Sequence, residues 1–218
     1  MKNIYMQMDY TGDDIMLESY KEKLKKMVSE KRYIHSVNVM ESAVQLAKRY
    51  GEDTGKAAVA GLLHDCAKGI KGEEIFKMCE MFGIETDEVT KLQPGLLHGY
   101  IGAKLAERDF GVTDKSILNA IYYHTTGYEN MNLLDKIIFI ADYIEPGRNF
   151  SNIDSIRKTV FEDLDEAIIM ALDNTLLYVT SKRALIHPLS IAARNSLLAE
   201  KMIKNKTDGR QADKMPAD

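Results

Sequence analysis

Apolar residues recur at intervals of three and four along most of this chain, and no segment alternates apolar and polar over a useful length. That period belongs to helices with one buried face. Leu17, Tyr20, Leu24 and Met27 predict a helix over 15–28. Val37, Met40, Val44 and Ala47 mark a second, which should stop at Tyr50-Gly51 with Lys48 and Arg49 in its last turn. Asp53 or Thr54 can cap a third over 57–66, and its AAVAGLL run is apolar on all sides, so it should lie inside the core. Further helices are expected over 72–81, from Pro94-Gly95 to Asp109, from Thr113 or Asp114 to His124, and over 133–144, the last ended by Glu145-Pro146-Gly147. Two longer stretches follow, 154–183 with an interruption near 163–165, and 188–204 opened by Pro188.

The expected architecture is therefore all-α, a single-domain helical bundle. Residues 1–14 form an N-terminal extension, 15–204 the helical domain, and 205–218 a polar tail without a period that should be disordered. Apolar residues make up 45% of the 218, which is ample for one core. The net charge of −4 argues against a nucleic-acid partner, which needs a basic face. No run has the length of a membrane span. Cys66 and Cys79 match no zinc spacing and no disulfide framework, and no apolar leader precedes the first helix, so a cytoplasmic protein is expected.

Chemistry enters through the histidines. Of five in the chain, four fall in the series His35, His64-Asp65, His98, His124, Asp142. Imidazole nitrogens and carboxylate oxygens are the ligands of divalent transition metals when thiolates are absent. His35 is placed at or just before the start of the second helix, His64-Asp65 at the end of the third, His98 in a first turn, His124 in a last turn and Asp142 near the end of an apolar helix. Adjacent residues on a helix diverge by about 100°, so His64 and Asp65 can both turn inward only where the helix is ending. Asp65 could then bridge two cations. A cation that acidifies its water suits hydrolysis of a phosphoanhydride, and no Walker loop or glycine-rich dinucleotide fingerprint offers another phosphate site.

The set His35, His64-Asp65, Asp142 resembles the HD-domain phosphohydrolase superfamily over about residues 20–150, and His98 with His124 resembles the extra pair of its dinuclear members. The segments KRYIHSVNVMESAVQLAKRYG, AAVAGLLHDCAKG, LLHGYIGAKLA, AIYYHTTG, DKIIFIADYIEPGR and HPLSIAARNSLL are similar to the YqeK family of bacterial symmetrical bis(5′-nucleosyl)-tetraphosphatases. The resemblance implies a metal-binding core over about 20–150 with C-terminal helices over 154–204. It implies cleavage of diadenosine tetraphosphate to two ADP, with iron as the metal and manganese, cobalt, nickel or zinc as alternatives. It makes His35, His64, Asp65 and Asp142 ligands of a first metal. His98 and His124 would hold a second metal or the polyphosphate and, as cations, stabilise phosphate oxygens, while Asp65 orients water or takes its proton. Substrate contacts are expected at Asn38, Lys68, Gly69, Thr126, Gly127, Arg148 and His187, besides His98 and His124. Competing readings are another HD-type nucleotide phosphohydrolase (a nucleotidase, a dNTP triphosphohydrolase or a guanosine tetraphosphate hydrolase) or a nucleotide sensor without turnover. Homodimerisation stays open.

Overall fold

The computed structural model describes residues 12–212, and every regular element in that range is helical. The helices are α1 (Gly12–Met27), α2 (Glu30–Tyr50), α3 (Thr54–Leu63), α4 (Glu73–Phe82), α5 (Glu88–Leu92), α6 (Leu97–Phe110), α7 (Lys115–Tyr123), α8 (Leu133–Ile144), α9 (Ile153–Thr159), α10 (Leu164–Ser181) and α11 (Pro188–Ala212), with a 3-10 turn at Pro94–Leu96 leading into α6. None of the described helices is long and apolar enough to cross a membrane. Side-chain oxygens cap the starts where the sequence suggested: Asp53 accepts from the Lys56 N–H at α3, Asp114 from Ser116 at α7, and Asp163 from Glu166 at α10.

Three boundaries depart from expectation. Ser29 caps α2 at Glu30, so His35 lies in the second turn rather than at the start; the polar first turn, Glu30-Lys31-Arg32, carries no apolar signal. The five-residue α5 is too short to show a period, although Asp87 and Thr90 form a reciprocal capping box at its start. The interruption expected near 163–165 is present: α9 ends at Thr159 and Asp163 caps the start of α10. α11 continues to Ala212, past the end expected at 204. No proline interrupts residues 205–212, so the helix already formed upstream continues through them, Gly209 included. The rest of the expected tail and extension, 213–218 and 1–11, lies outside the described residues.

The third helix is the axis of the bundle, as its all-round apolar pattern implied. Ala57 to Leu63 are all buried, and α2, α7 and α8 pack around them with α1 across one side. α6 lies against α7, α10 against α8, and α11 against α10. α2 and α3 approach so closely at Gly61 that a Cβ there would stand 2.9 Å from Met40 Cα and 3.1 Å from its nitrogen. This contact puts His35 of α2 and His64, just past α3, on facing helices. Gly61→Ala should therefore wedge the pair apart. The expected cost is about 1–3 kcal/mol, seen as a lower urea midpoint with an unchanged slope.

Candidate metal centre

α3 ends at Leu63 and a tight turn follows, with Cys66 N–H donating to Leu63 O and Lys68 N–H to Asp65 O, each at 3.0 Å. This ending lets His64 and Asp65 both face the bundle interior. His64 Nδ1 lies 2.7 Å from Gly61 O, three residues back, where the helix end leaves a carbonyl free. The device recurs twice. His124, capping α7, sets Nδ1 2.7 Å from Ile121 O, and His98 sets Nδ1 2.6 Å from Gly95 O in the 3-10 turn. His35 instead directs Nδ1 to the Glu145 carboxylate at 3.2 Å. Each Nδ1 has an acceptor, so the partners assign its proton there and leave Nε2 as a lone pair aimed inward.

Those lone pairs converge. His35 Nε2 and His64 Nε2 are 3.2 Å apart, and His35 Nε2 is 3.1 Å from Asp142 Oδ1 and 3.5 Å from Asp65 Oδ2. His64 Nε2 lies 3.6 Å from Asp65 Oδ2 and 3.8 Å from Asp142 Oδ1. On the other side of Asp65, Oδ1 stands 3.0 Å from His98 Nε2 and 3.6 Å from His124 Nε2, and those two nitrogens are 3.0 Å apart. Asp65 thus separates two imidazole pairs, one carboxylate oxygen to each.

The residues fit a divalent transition metal. Asp65 Oδ1 is buried without a hydrogen bond, which is costly for a carboxylate unless a cation compensates it. Facing lone pairs at hydrogen-bond distance repel one another and are reconciled by a shared cation. The donor set of nitrogen with carboxylate oxygen is that of transition metals rather than calcium.

The electrostatics hold the ligands in their metal-binding protonation states. Burial pushes His64 down to about 4, against the raising effect of Asp65 and Asp142, so its imidazole is neutral near pH 7. Burial lowers His98 as well, against the raising effect of its contact with Asp65. Burial would raise Asp65, but His64, His124 and His98 hold its carboxyl well below the usual range, and Asp142 is likewise held down by His35, His64 and Arg148. Asp65 is thereby held as a carboxylate, with one oxygen toward each imidazole pair. Cys66, next in sequence, turns away and points its Sγ at Gly102 O, 3.5 Å off.

The expected substrate contacts divide. Arg148 sits on the centre, with Nη2 on Asp142 Oδ1 and Nε 3.0 Å from Asp142 O. Lys68 Nζ is 3.1 Å from His98 Nε2 and 4.0 Å from Asp65 Oδ1. Gly69 is exposed beyond them. Asn38 is engaged elsewhere: its amide donates to Glu145 Oε2 at 2.9 Å and so supports His35 indirectly. Thr126 turns its buried hydroxyl to Gly127 O, and Gly127 takes a φ of +63° against Ala193 and Met131. His187 is paired with Asp87, 3.0 Å away, and accepts from the Leu189 N–H at the start of α11. Asn38, Thr126, Gly127 and His187 are tied into structure by partners that spacing does not reveal.

Three residues were missed. Thr125, not Thr126, sets Oγ1 3.2 Å from His124 Nε2 and 3.3 Å from His98 Nε2. Arg32 places Nη1 on Asp65 Oδ2. Glu145 holds His35 while accepting from Asn38 and from Gly147 N–H at 2.5 Å. The only sequence signal for Glu145 is its place in IEPGR, where Pro and Gly read simply as a helix stop. A cleft of about 150 Å³ opens on His124, Thr125, Asp142 and Arg148, walled by Phe139, Tyr143 and Phe150. A larger cavity of about 540 Å³ lies elsewhere, between α1, α2, α3 and α7, and touches none of the cluster.

The HD domain family model matches residues 32–147, the span that carries all six ligand candidates. A symmetrical bis(5′-nucleosyl)-tetraphosphatase of Bacillus subtilis is 39% identical over 176 residues, covering 81% of this chain and 94% of the relative. One of Staphylococcus aureus is 35% identical over 181 residues, covering 82% and 93%. A crystal structure from Clostridium acetobutylicum, described as a predicted HD superfamily hydrolase involved in NAD metabolism, superposes with a TM-score of 0.82 at 47% identity and covers 84% of this chain and 97% of its own.

Two outcomes follow from the geometry. Glu145→Gln should weaken metal binding about 10–100-fold, measured by competition with a chromogenic chelator. In metal-free protein the lowered His64 means that the unfolded chain binds more protons between its ordinary 6.5 and about 4. Stability should therefore fall as pH drops through that window, and thermal melts of His64→Gln should show a smaller drop there.

Proposed function

The chain belongs to the HD domain family and, within it, to the symmetrical bis(5′-nucleosyl)-tetraphosphatases, and on that premise we propose that it hydrolyses diadenosine tetraphosphate to two molecules of ADP. The observation that carries this reading is Asp65, one oxygen turned to each of two imidazole pairs. His35, His64, Asp142 and Asp65 Oδ2 are the proposed ligands of one cation. His98, His124 and Asp65 Oδ1 are those of a second, or contacts for the polyphosphate. Iron is the proposed metal, with manganese, cobalt, nickel and zinc suited to the same donors. Bound there, the metal supplies Lewis acidity, neutralising phosphate oxygens and making water more acidic.

The chain's own side chains supply the rest. Arg148 and Lys68 stand beside the cluster, where a polyphosphate needs positive charge. Burial lowers the Lys68 pKa although Asp65 and Asp142 raise it. Asp65, held as a carboxylate, can orient an attacking water by accepting its hydrogen bond. The Thr125 hydroxyl, between His98 and His124, offers a donor to a phosphate oxygen. Tyr143 and Phe150, with ring centroids 4.9 Å apart, give the adjoining cleft an aromatic wall suited to a nucleobase. A nucleotide substrate, and two buried cysteines that form no disulfide, support a cytoplasmic setting.

The iron-loaded protein should convert diadenosine tetraphosphate to ADP as the sole nucleotide product on anion-exchange chromatography. AMP with ATP would overturn the symmetrical reading, and no turnover of any nucleotide by fully metallated protein would favour a sensor. Asp65→Asn should lower both metal content and kcat by two orders of magnitude or more, about 3 kcal/mol in barrier.

A further inference from the structure

Arg32 has no place in the chemistry described so far. It is the third residue of α2, with its backbone N–H on the Ser29 cap. Its guanidinium reaches Asp65 Oδ2 through Nη1 alone. Among the described residues, no partner takes its Nε or Nη2, and the side chain is 31% exposed. Arg148, by contrast, spends both Nε and Nη2 on Asp142. Arg32 therefore keeps free the Nε–Nη2 edge of its fork, the edge that pairs with two oxygens of one phosphate.

Its surroundings favour an anion there. Arg32 and Lys68 both stand on Asp65, and Arg148 stands on Asp142, so the three cations share one rim. They match in number the three carboxylates of the centre, Asp65, Asp142 and Glu145. A divalent cation added to that balance leaves the rim positive, with an unfilled guanidinium fork beside the ligand cluster.

We propose that Arg32 is a substrate-binding residue that takes a phosphate group of the nucleotide through its Nε–Nη2 edge while Nη1 stays on Asp65. The proposal rests on the nucleotide-hydrolase reading above. Arg32 then does two things at once: it fixes the Asp65 carboxylate and it ties the polyphosphate to the same residue that divides the two imidazole pairs.

The test is calorimetric titration of metal-loaded wild type, Arg32→Gln and Arg32→Lys with ADP and with adenosine, alongside metal analysis. With metal content retained, Arg32→Gln should bind ADP ten-fold or more weakly and adenosine unchanged, and its ADP affinity should depend less on salt. ADP binding within two-fold of wild type at full metal content overturns the proposal, as does an equal loss for adenosine. So does a loss of ADP affinity that follows lost metal and is restored by reloading it, for Arg32 would then only hold Asp65. Should Arg32→Gln fail to fold, Arg32→Lys decides: several-fold weaker ADP binding supports the fork contact, and wild-type binding overturns it. Failure of the wild type to cleave the dinucleotide would sink the hydrolase reading while leaving these ADP affinities to judge Arg32.

Discussion

A backbone carbonyl three residues upstream, or a buried carboxylate, takes the Nδ1 proton of every imidazole in this centre, and that commitment shapes what surrounds it. A histidine whose Nδ1 is engaged has a fixed ring plane and one remaining nitrogen, directed the opposite way. Helix ends are where such carbonyls are free. This explains why His64 and His124 sit at the ends of α3 and α7 and why a 3-10 turn precedes His98. Among the four, His35 alone lies beyond the first turn of a regular helix, where the upstream backbone carbonyls are already used. It needs a side-chain acceptor from another element, and Glu145 at the end of α8 supplies it. The close crossing of α2 on α3 then brings His35 and His64 together.

The same economy of partners governs the charges. Three acids and three cations gather at one place in an otherwise apolar bundle, and each acid has a defined neighbour: Arg32 for Asp65, Arg148 for Asp142, Asn38 and the Gly147 N–H for Glu145. Desolvation opposes ionisation at all three carboxyls, yet each is held below its ordinary range by what surrounds it. The centre is therefore preorganised to receive a cation without first losing protons from its carboxyls or from His64.

Most of the helices could be read from spacing because their buried faces are long and regular; α8 matched the expected 133–144. The ligand candidates were legible for a different reason: histidine is rare here, its chemistry is narrow, and six suitable residues in one order leave few explanations. What escaped the sequence acts through another residue. Glu145, Arg32 and Thr125 touch ligand side chains, and nothing local distinguishes them from a helix stop, a polar first turn and a loop hydroxyl. Asn38 and His187 were placed near the right elements, yet their hydrogen bonds go to Glu145 and Asp87, 107 and 100 residues away. Spacing along a helix gives proximity; the direction of a polar side chain is settled by partners far off in the chain.

Cys66 follows a proposed metal ligand directly, and its orientation carries a consequence for oxidative chemistry. With Sγ turned to Gly102 O and the side chain buried, desolvation raises the thiol to about 12. Roughly one such thiol in a hundred thousand is ionised at neutral pH. Since the thiolate is the form that reacts with peroxide, this sulfur should stay off the path to sulfenic acid although a proposed metal ligand is its neighbour in the chain.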